Sequence, residues 1–181
     1  CYAMTEPKQM LPRGANRGDV YFMVTHRPAR GTRNEISMRV GYPFSSTSRP
    51  FATIDKDKFQ LFTGVKEGGE HRFWAWLDNV KRSSAMVDAL KKGYKMVIKG
   101  TSSRDTLTTD TYSLKGSADA LGSSAEVASH LPPLTCLHRV NFLTVGRSGG
   151  GASGTSGASQ RGWPCSSFRA PWPFGTRRAN L

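Results

Sequence analysis

Bulky apolar residues recur at every second position through much of the first two-thirds of this chain, the period of a β-strand. In Asp19–Thr25, Val20, Phe22 and Val24 share one phase, and Tyr21, Met23 and Thr25 share the other. Both faces are bulky, which predicts a central, largely buried strand. His26-Arg27-Pro28 is expected to stop it, since proline lacks a ladder donor. Asn34–Val40 sets Ile36, Met38 and Val40 against Ser37 and Arg39, the pattern of a strand with one solvated face. Phe51–Ile54 and Phe59–Thr63 read as a hairpin joined by the polar quartet Asp55-Lys56-Asp57-Lys58. Glu67-Gly68-Gly69-Glu70 is a surface turn. Phe73–Leu77 is the most aromatic stretch, with Phe73, Ala75 and Leu77 on one side and Trp74 and Trp76 on the other.

One segment changes period. After Ser83 or Ser84 as N-cap, Ala85, Met86, Ala89 and Leu90 fall at helical spacing, Lys91 and Lys92 occupy the last turn, and Gly93 supplies a left-handed terminator. Tyr94–Lys99 and Thr106–Leu114 return to strand character around the Gly100–Asp105 connection. The second is dense in threonine, which suits an exposed pleat. Thr5–Asn16, with Pro7, Pro12 and Gly14, reads as irregular. Short strands, frequent turns and one short helix predict a mainly β fold, a β-sandwich or barrel.

Composition divides the chain in two. Residues 1–120 carry 20 Lys+Arg against 12 Asp+Glu, whereas residues 121–181 carry 6 against 1 and contain no lysine. Periodicity fades after about Gly122, and Gly146–Gly157 is low-complexity. Arg161–Leu181 mixes Trp163, Phe168, Trp172 and Phe174 with Pro, Arg and Cys in no periodic face. A GC-rich gene read in a shifted frame gives this composition, and so does a disordered basic extension. The expectation is a domain over 1–121 followed by a tail over 122–181. The formal net charge of +13 favours polyanions such as nucleic acid, anionic lipid or acidic glycans. No apolar run is long enough for a transmembrane helix.

Candidate chemistry is sparse. His26, His71, His130 and His138 have no zinc-ligand spacing, and no phosphate-cradling loop, dinucleotide fingerprint or nucleophile elbow occurs. The reading is a non-enzymatic protein with no cofactor and no metal. Arg17-Gly18-Asp19 spells a tripeptide adhesion motif, which functions only if both charged groups splay from an exposed loop; the plainer reading is a turn glycine with solvated charges. Trp74 and Trp76 form either a stacking surface for glycan or single-stranded nucleic acid or part of the core. Of Cys1, Cys136 and Cys165, only Cys1 falls in the body, where it has no partner. An N-terminal cysteine is also the lipid-modified residue of a bacterial lipoprotein.

Several phrases go together: CYAMTEPKQMLPRGANRGDVYFMVTHRPARGTRNEISMRVGYPF at 1–44, FQLFTG at 59–64, AWL at 75–77 and MVIKGTSSRDTLTTDTYSL at 96–114. In order and spacing they resemble the invasion-associated locus B family of small exported bacterial proteins, from Cys1 to about Leu121. The resemblance implies an immunoglobulin-like β-sandwich with one short helix and a non-homologous tail. It also implies export to the periplasm, outer membrane or medium, and a part in host-cell attachment or invasion. Partners implied are a host-cell surface or an anionic envelope component, with no specific nucleic acid. Three departures stand out. The family's first strand and upstream cysteine would precede Cys1, Asp105 stands where the family has glycine, and the closing helix and cysteine are replaced after Leu121. The domain is therefore expected to lack its first strand, and Cys1 to lack its disulfide partner. Alternatives from other classes are a basic nucleic-acid-binding module and a structural periplasmic protein without a host role.

Overall fold

A computed structural model describes residues 1–130 and 139–141; for Val127, His130 and 139–141 the description is of the backbone. The strands are β1 (Tyr2–Thr5), β2 (Gln9–Leu11), β3 (Val20–Arg27), β4 (Thr32–Val40), β5 (Phe51–Ile54), β6 (Asp57–Thr63), β7 (Trp74–Leu77), β8 (Lys95–Thr101), β9 (Leu107–Ser113) and β10 (Arg139–Asn141). Two α-helices accompany them, α1 (Ser83–Lys92) and α2 (Ser117–His130). The strands form one sheet in the order β10-β1-β3-β4-β7-β6-β5-β8-β9-β2. Nine are antiparallel to their neighbours, and short β10 runs parallel to β1. The fold is mainly β, a half-barrel with few helices.

The pivot is β6. Its residues Asp57–Gln60 pair with β5, and Leu61–Thr63 pair with β7. Both halves of the sheet therefore feed one core. Phe22, Val24, Ile36 and Met38 come from one half, Ile54, Phe59, Met96, Ile98 and Tyr112 from the other, and Met86 and Leu90 from α1. Phe22 and Tyr112 meet edge-on across it, ring centroids 6.3 Å apart.

Most of the predicted strands form, with informative differences. β3 is buried from Val20 to His26, as two bulky faces require, but it runs on through His26 and Arg27. Cys1 O accepts from His26 N at 2.7 Å, so the chain's first residues supply the ladder partner, and Pro28 opens a short 3-10 turn instead. On β4, Ser37 is buried rather than solvated, because it lies opposite Trp76 and a second apolar cluster covers that face. The β5–β6 hairpin is tighter than expected: Ile54 pairs with Asp57, leaving Asp55 and Lys56 as the turn, with Asp55 at φ 50°. Gly93 is extended (φ −77°, ψ 163°), not left-handed. It is needed for space, since a Cβ there would crowd the Ile54 side chain and Ala89 O. The N-cap is also displaced, with Asn79 Oδ1 capping a 3-10 turn (Val80–Arg82) that leads into α1. The threonine-rich β9 is not an exposed strand, for Thr108, Asp110 and Tyr112 all face inward and are buried. The stretch expected to be irregular contains β2.

The largest difference lies after Leu121. That residue falls inside α2, whose Leu121, Ser124 and Ala128 recur at helical spacing and are buried. Ser117 Oγ donates to Leu90 O at 2.5 Å, tying the start of α2 to the end of α1. α2 runs on past Leu121 to His130. The low-complexity stretch Gly146–Gly157 and the segment Arg161–Leu181 lie outside the described residues.

Candidate functional site

Within the tripeptide Arg17-Gly18-Asp19 the Arg17 side chain turns inward, whereas Gly18 and Asp19 are exposed. Gly41 has φ 71° and backs directly onto Gly18, whose N–H donates to Gly41 O at 2.8 Å; no side chain fits between them. This contact delivers Arg17 to the inner edge of the sheet. Its guanidinium makes a two-pronged pair with Asp110, Nη1–Oδ1 2.6 Å and Nη2–Oδ2 2.7 Å, and also donates to Val40 O. Both side chains are nearly inaccessible, 4% and 1% exposed. Burial alone pulls the Arg17 pKa down, but Asp110's hydrogen bonds and charge more than offset it, so Arg17 stays charged. Above it lies the Tyr42 ring, whose hydroxyl shares a 2.5 Å hydrogen bond with Thr108 Oγ1. Burial pushes the Tyr42 phenol up to about 12. The adhesion reading of Arg17, Gly18 and Asp19 is thus corrected. Asp19 is exposed, but Arg17 is fully committed inside.

Trp74 and Trp76 are not an open platform either. They are 4% and 9% exposed, stack on each other at 6.2 Å, and join Met4, Tyr21 and Met23 in the second apolar cluster. Tyr21 meets Trp74 edge-on at 5.7 Å. Phe73 packs with this cluster and not with Ala75, because it closes a 3-10 turn and strand alternation does not yet apply.

Cys1 is disulfide-bonded, which corrects the expectation that its partner is missing. The other two cysteines of the chain, Cys136 and Cys165, lie outside the described residues. Beside it, buried His26 accepts from Asn34 N at Nδ1 (3.2 Å), and its Nε2 faces Ser124 Oγ at 3.4 Å. A backbone N–H at Nδ1 fixes the neutral ring with its proton on Nε2, so His26 donates toward Ser124 and is not placed to take the serine's proton. The concavity beside them, about 240 Å³, is lined by His26, Arg33, Ser84, Asp88 and Lys91. A shallow groove along α1, lined by Asp55, Asp57, Asp88 and Lys92, has no grouping that would hold a metal among the described residues. Likewise, no described helix is long and apolar enough to cross a membrane.

What remains open is the outer face of the β2–β9–β8–β5 half of the sheet. Inward positions on β5, β8 and β9 are buried, and the register puts the outward ones in a continuous field. Lys58 pairs with Thr53, Thr53 with Val97 and Val97 with Thr111; Phe51 pairs with Lys99 and Lys99 with Thr109. Lys95 pairs with Ser113. Lys58, Lys95 and Lys99 are exposed, while Thr53, Val97, Thr109 and Thr111 are half-buried. The Lys58 ammonium sits 3.8 Å from the Phe51 ring centroid.

Two of these features escaped the sequence reading, although the signal was there. In the run Thr108–Tyr112, an inward Tyr112 puts Asp110 inward by simple alternation, which calls for a cationic partner. Lys95 and Lys99 are out of phase with Met96 and Ile98, which places them together on the opposite face. Among known proteins, no family model matches the chain, and comparisons with curated proteins and with solved structures return no match. Fold and site therefore define a class only: a mainly β protein with an internal Arg17–Asp110 pair and, among the described residues, a cationic outer face on one half of its sheet.

Proposed function

We propose that this chain is a non-enzymatic exported protein of the invasion-associated locus B type, an immunoglobulin-like sandwich acting by binding at the envelope or host surface. The observation that carries the reading is the disulfide at Cys1. Structural disulfides persist in oxidising compartments and are rare in the cytosol, so a bridged Cys1 fits a periplasmic or secreted chain. The phrases RGDVYF, NEIS, GYPF and TTDTYSL supply the family resemblance. The commitments of the buried polar side chains support a binding role. Arg17, Asp110 and Tyr42 are spent on one another, and His26 is oriented away from base catalysis.

Fractionation of cells that carry the native locus, with maleimide trapping of free thiols, tests this. The chain is expected in the envelope or medium, with Cys1 unreactive until reduced. A cytoplasmic chain with a reactive Cys1 would overturn the proposal.

A further inference from the structure

We infer that the outer face of β6, β5, β8 and β9 is a docking surface for an anionic polysaccharide, held by Lys58, Lys95 and Lys99 with the Thr53 hydroxyl between them and the Thr109 and Thr111 hydroxyls alongside. This names a partner class for the binding role just proposed, and rests on that reading for where the partner is met.

The geometry comes from the register. Lys95 and Lys99 lie four residues apart on β8, and Lys58 lies two strands away at the level of Val97. With about 3.3 Å per residue and about 4.8 Å between strands, the three Cα atoms stand about 12–13 Å from one another. Long flexible side chains let such a triangle meet repeated negative charges along an extended chain. Among the described residues, every outward position on β2, β5, β8 and β9 is neutral or cationic, and the carboxylate of this sheet half, Asp110, is turned inward and consumed by Arg17. An anion approaching this face therefore meets attraction without a competing carboxylate on the strands beneath it. The Thr53 hydroxyl lies between the lysines, and Thr109, Thr111 and Ser113 lie alongside on the neighbouring β9; all can donate to and accept from sugar hydroxyls.

The same face argues against a nucleic acid. Sequence-tolerant binding of single strands relies on free aromatic rings on which bases stack. Phe51, the aromatic among the outward residues of β5, β8 and β9, is half-buried with the Lys58 ammonium over its ring, so these strands offer no free ring on that face; the exposed Tyr94 lies just before β8.

The test uses the purified, oxidised full chain. Affinity for heparin, as a sulfated polysaccharide, is measured against salt for the wild type and for Lys58→Gln/Lys95→Gln/Lys99→Gln. A charge-matched control, Lys66→Gln/Lys81→Gln/Lys115→Gln, alters exposed lysines elsewhere. All six sites are exposed, and thermal unfolding confirms that each variant folds. The face variant is expected to bind about tenfold more weakly, with a log K against log salt slope shallower by about three, one per lysine lost, as for a polyelectrolyte releasing counterions. The control is expected to change little. Equal losses in both variants would overturn the proposal in favour of diffuse charge. Tighter binding to a single-stranded oligonucleotide of equal charge, or to phosphatidylserine-containing vesicles, lost in the same face variant, would overturn it in favour of that partner. The export reading fails independently: a cytoplasmic chain with reduced Cys1 that still loses heparin through these lysines would keep the surface and reject the location.

Discussion

Removing the Arg17 guanidinium probes the internal architecture hardest. In Arg17→Met, Asp110 keeps its position at 1% exposure but loses both guanidinium bonds, and Val40 O loses its two side-chain donors. Stranding one partner of a buried ion pair costs about 3–5 kcal/mol. Against a total stability of about 5–15 kcal/mol, that is a large share. For a unit of this size each kcal/mol is worth about 2–4 °C, so the melting temperature should drop by about 6–20 °C. The assay is thermal and urea unfolding of the wild type, Arg17→Met, Asp110→Leu and the double variant. The double variant should recover most of the loss, because two apolar side chains in place of a buried pair leave no uncompensated charge. Single variants that each cost less than about 1 kcal/mol, or costs that simply add in the double variant, would refute the claim that the pair acts as a buried unit.

Burial, with Arg33 and Lys91 nearby, holds His26 below its ordinary value of 6.5. The unfolded chain then takes up the proton first, so stability should fall as pH drops through about 6.5 and level off below the folded value; His26→Asn should lose that slope in melting curves. Glu35 works in the opposite sense, its pKa raised by burial despite Arg27 and Arg30, so its contribution weakens as pH rises above 4.5 and Glu35→Gln should remove that dependence. Gly41→Ala should cost at least about 1–3 kcal/mol by urea unfolding, since it forces a side chain into a left-handed backbone packed on Gly18. Ser117→Ala should cost about 1–3 kcal/mol in the same assay by leaving the buried Leu90 O without its donor; a change within error would mean that α2 is not held at this point.

Much of the sheet was legible because period-two alternation in β3, β4, β8 and the β5–β6 hairpin is strong and local. What was missed was set by pairing at a distance. Alternation around Pro28 could not show that the residues after Cys1 would extend β3 past its expected stop, or that β2 would form within Thr5–Asn16. Threonine density suggested an exposed β9, but inward burial of Thr108, Asp110 and Tyr112 depends on strands distant in sequence and on Arg17. A boundary at Leu121 followed from composition, whereas α2 continues because Leu121, Ser124 and Ala128 share a buried stripe. The tryptophans were readable as core or surface from sequence, and packing against Tyr21 and Met23 selects the core. In the Arg17-Gly18-Asp19 motif, three residues of text carried no information about a carboxylate 93 positions away.

Among all measurements, chemical-shift mapping of the isotope-labelled full chain titrated with a heparin-derived oligosaccharide tests the central claim, a binding protein working through its open sheet face, most directly. The account predicts shifts concentrated at Thr53, Lys58, Val97, Lys99, Thr109 and Thr111, with the Arg17–Asp110 region and α2 unmoved. Shifts centred on the His26–Lys91 concavity, or spread evenly over every cationic residue, would contradict it.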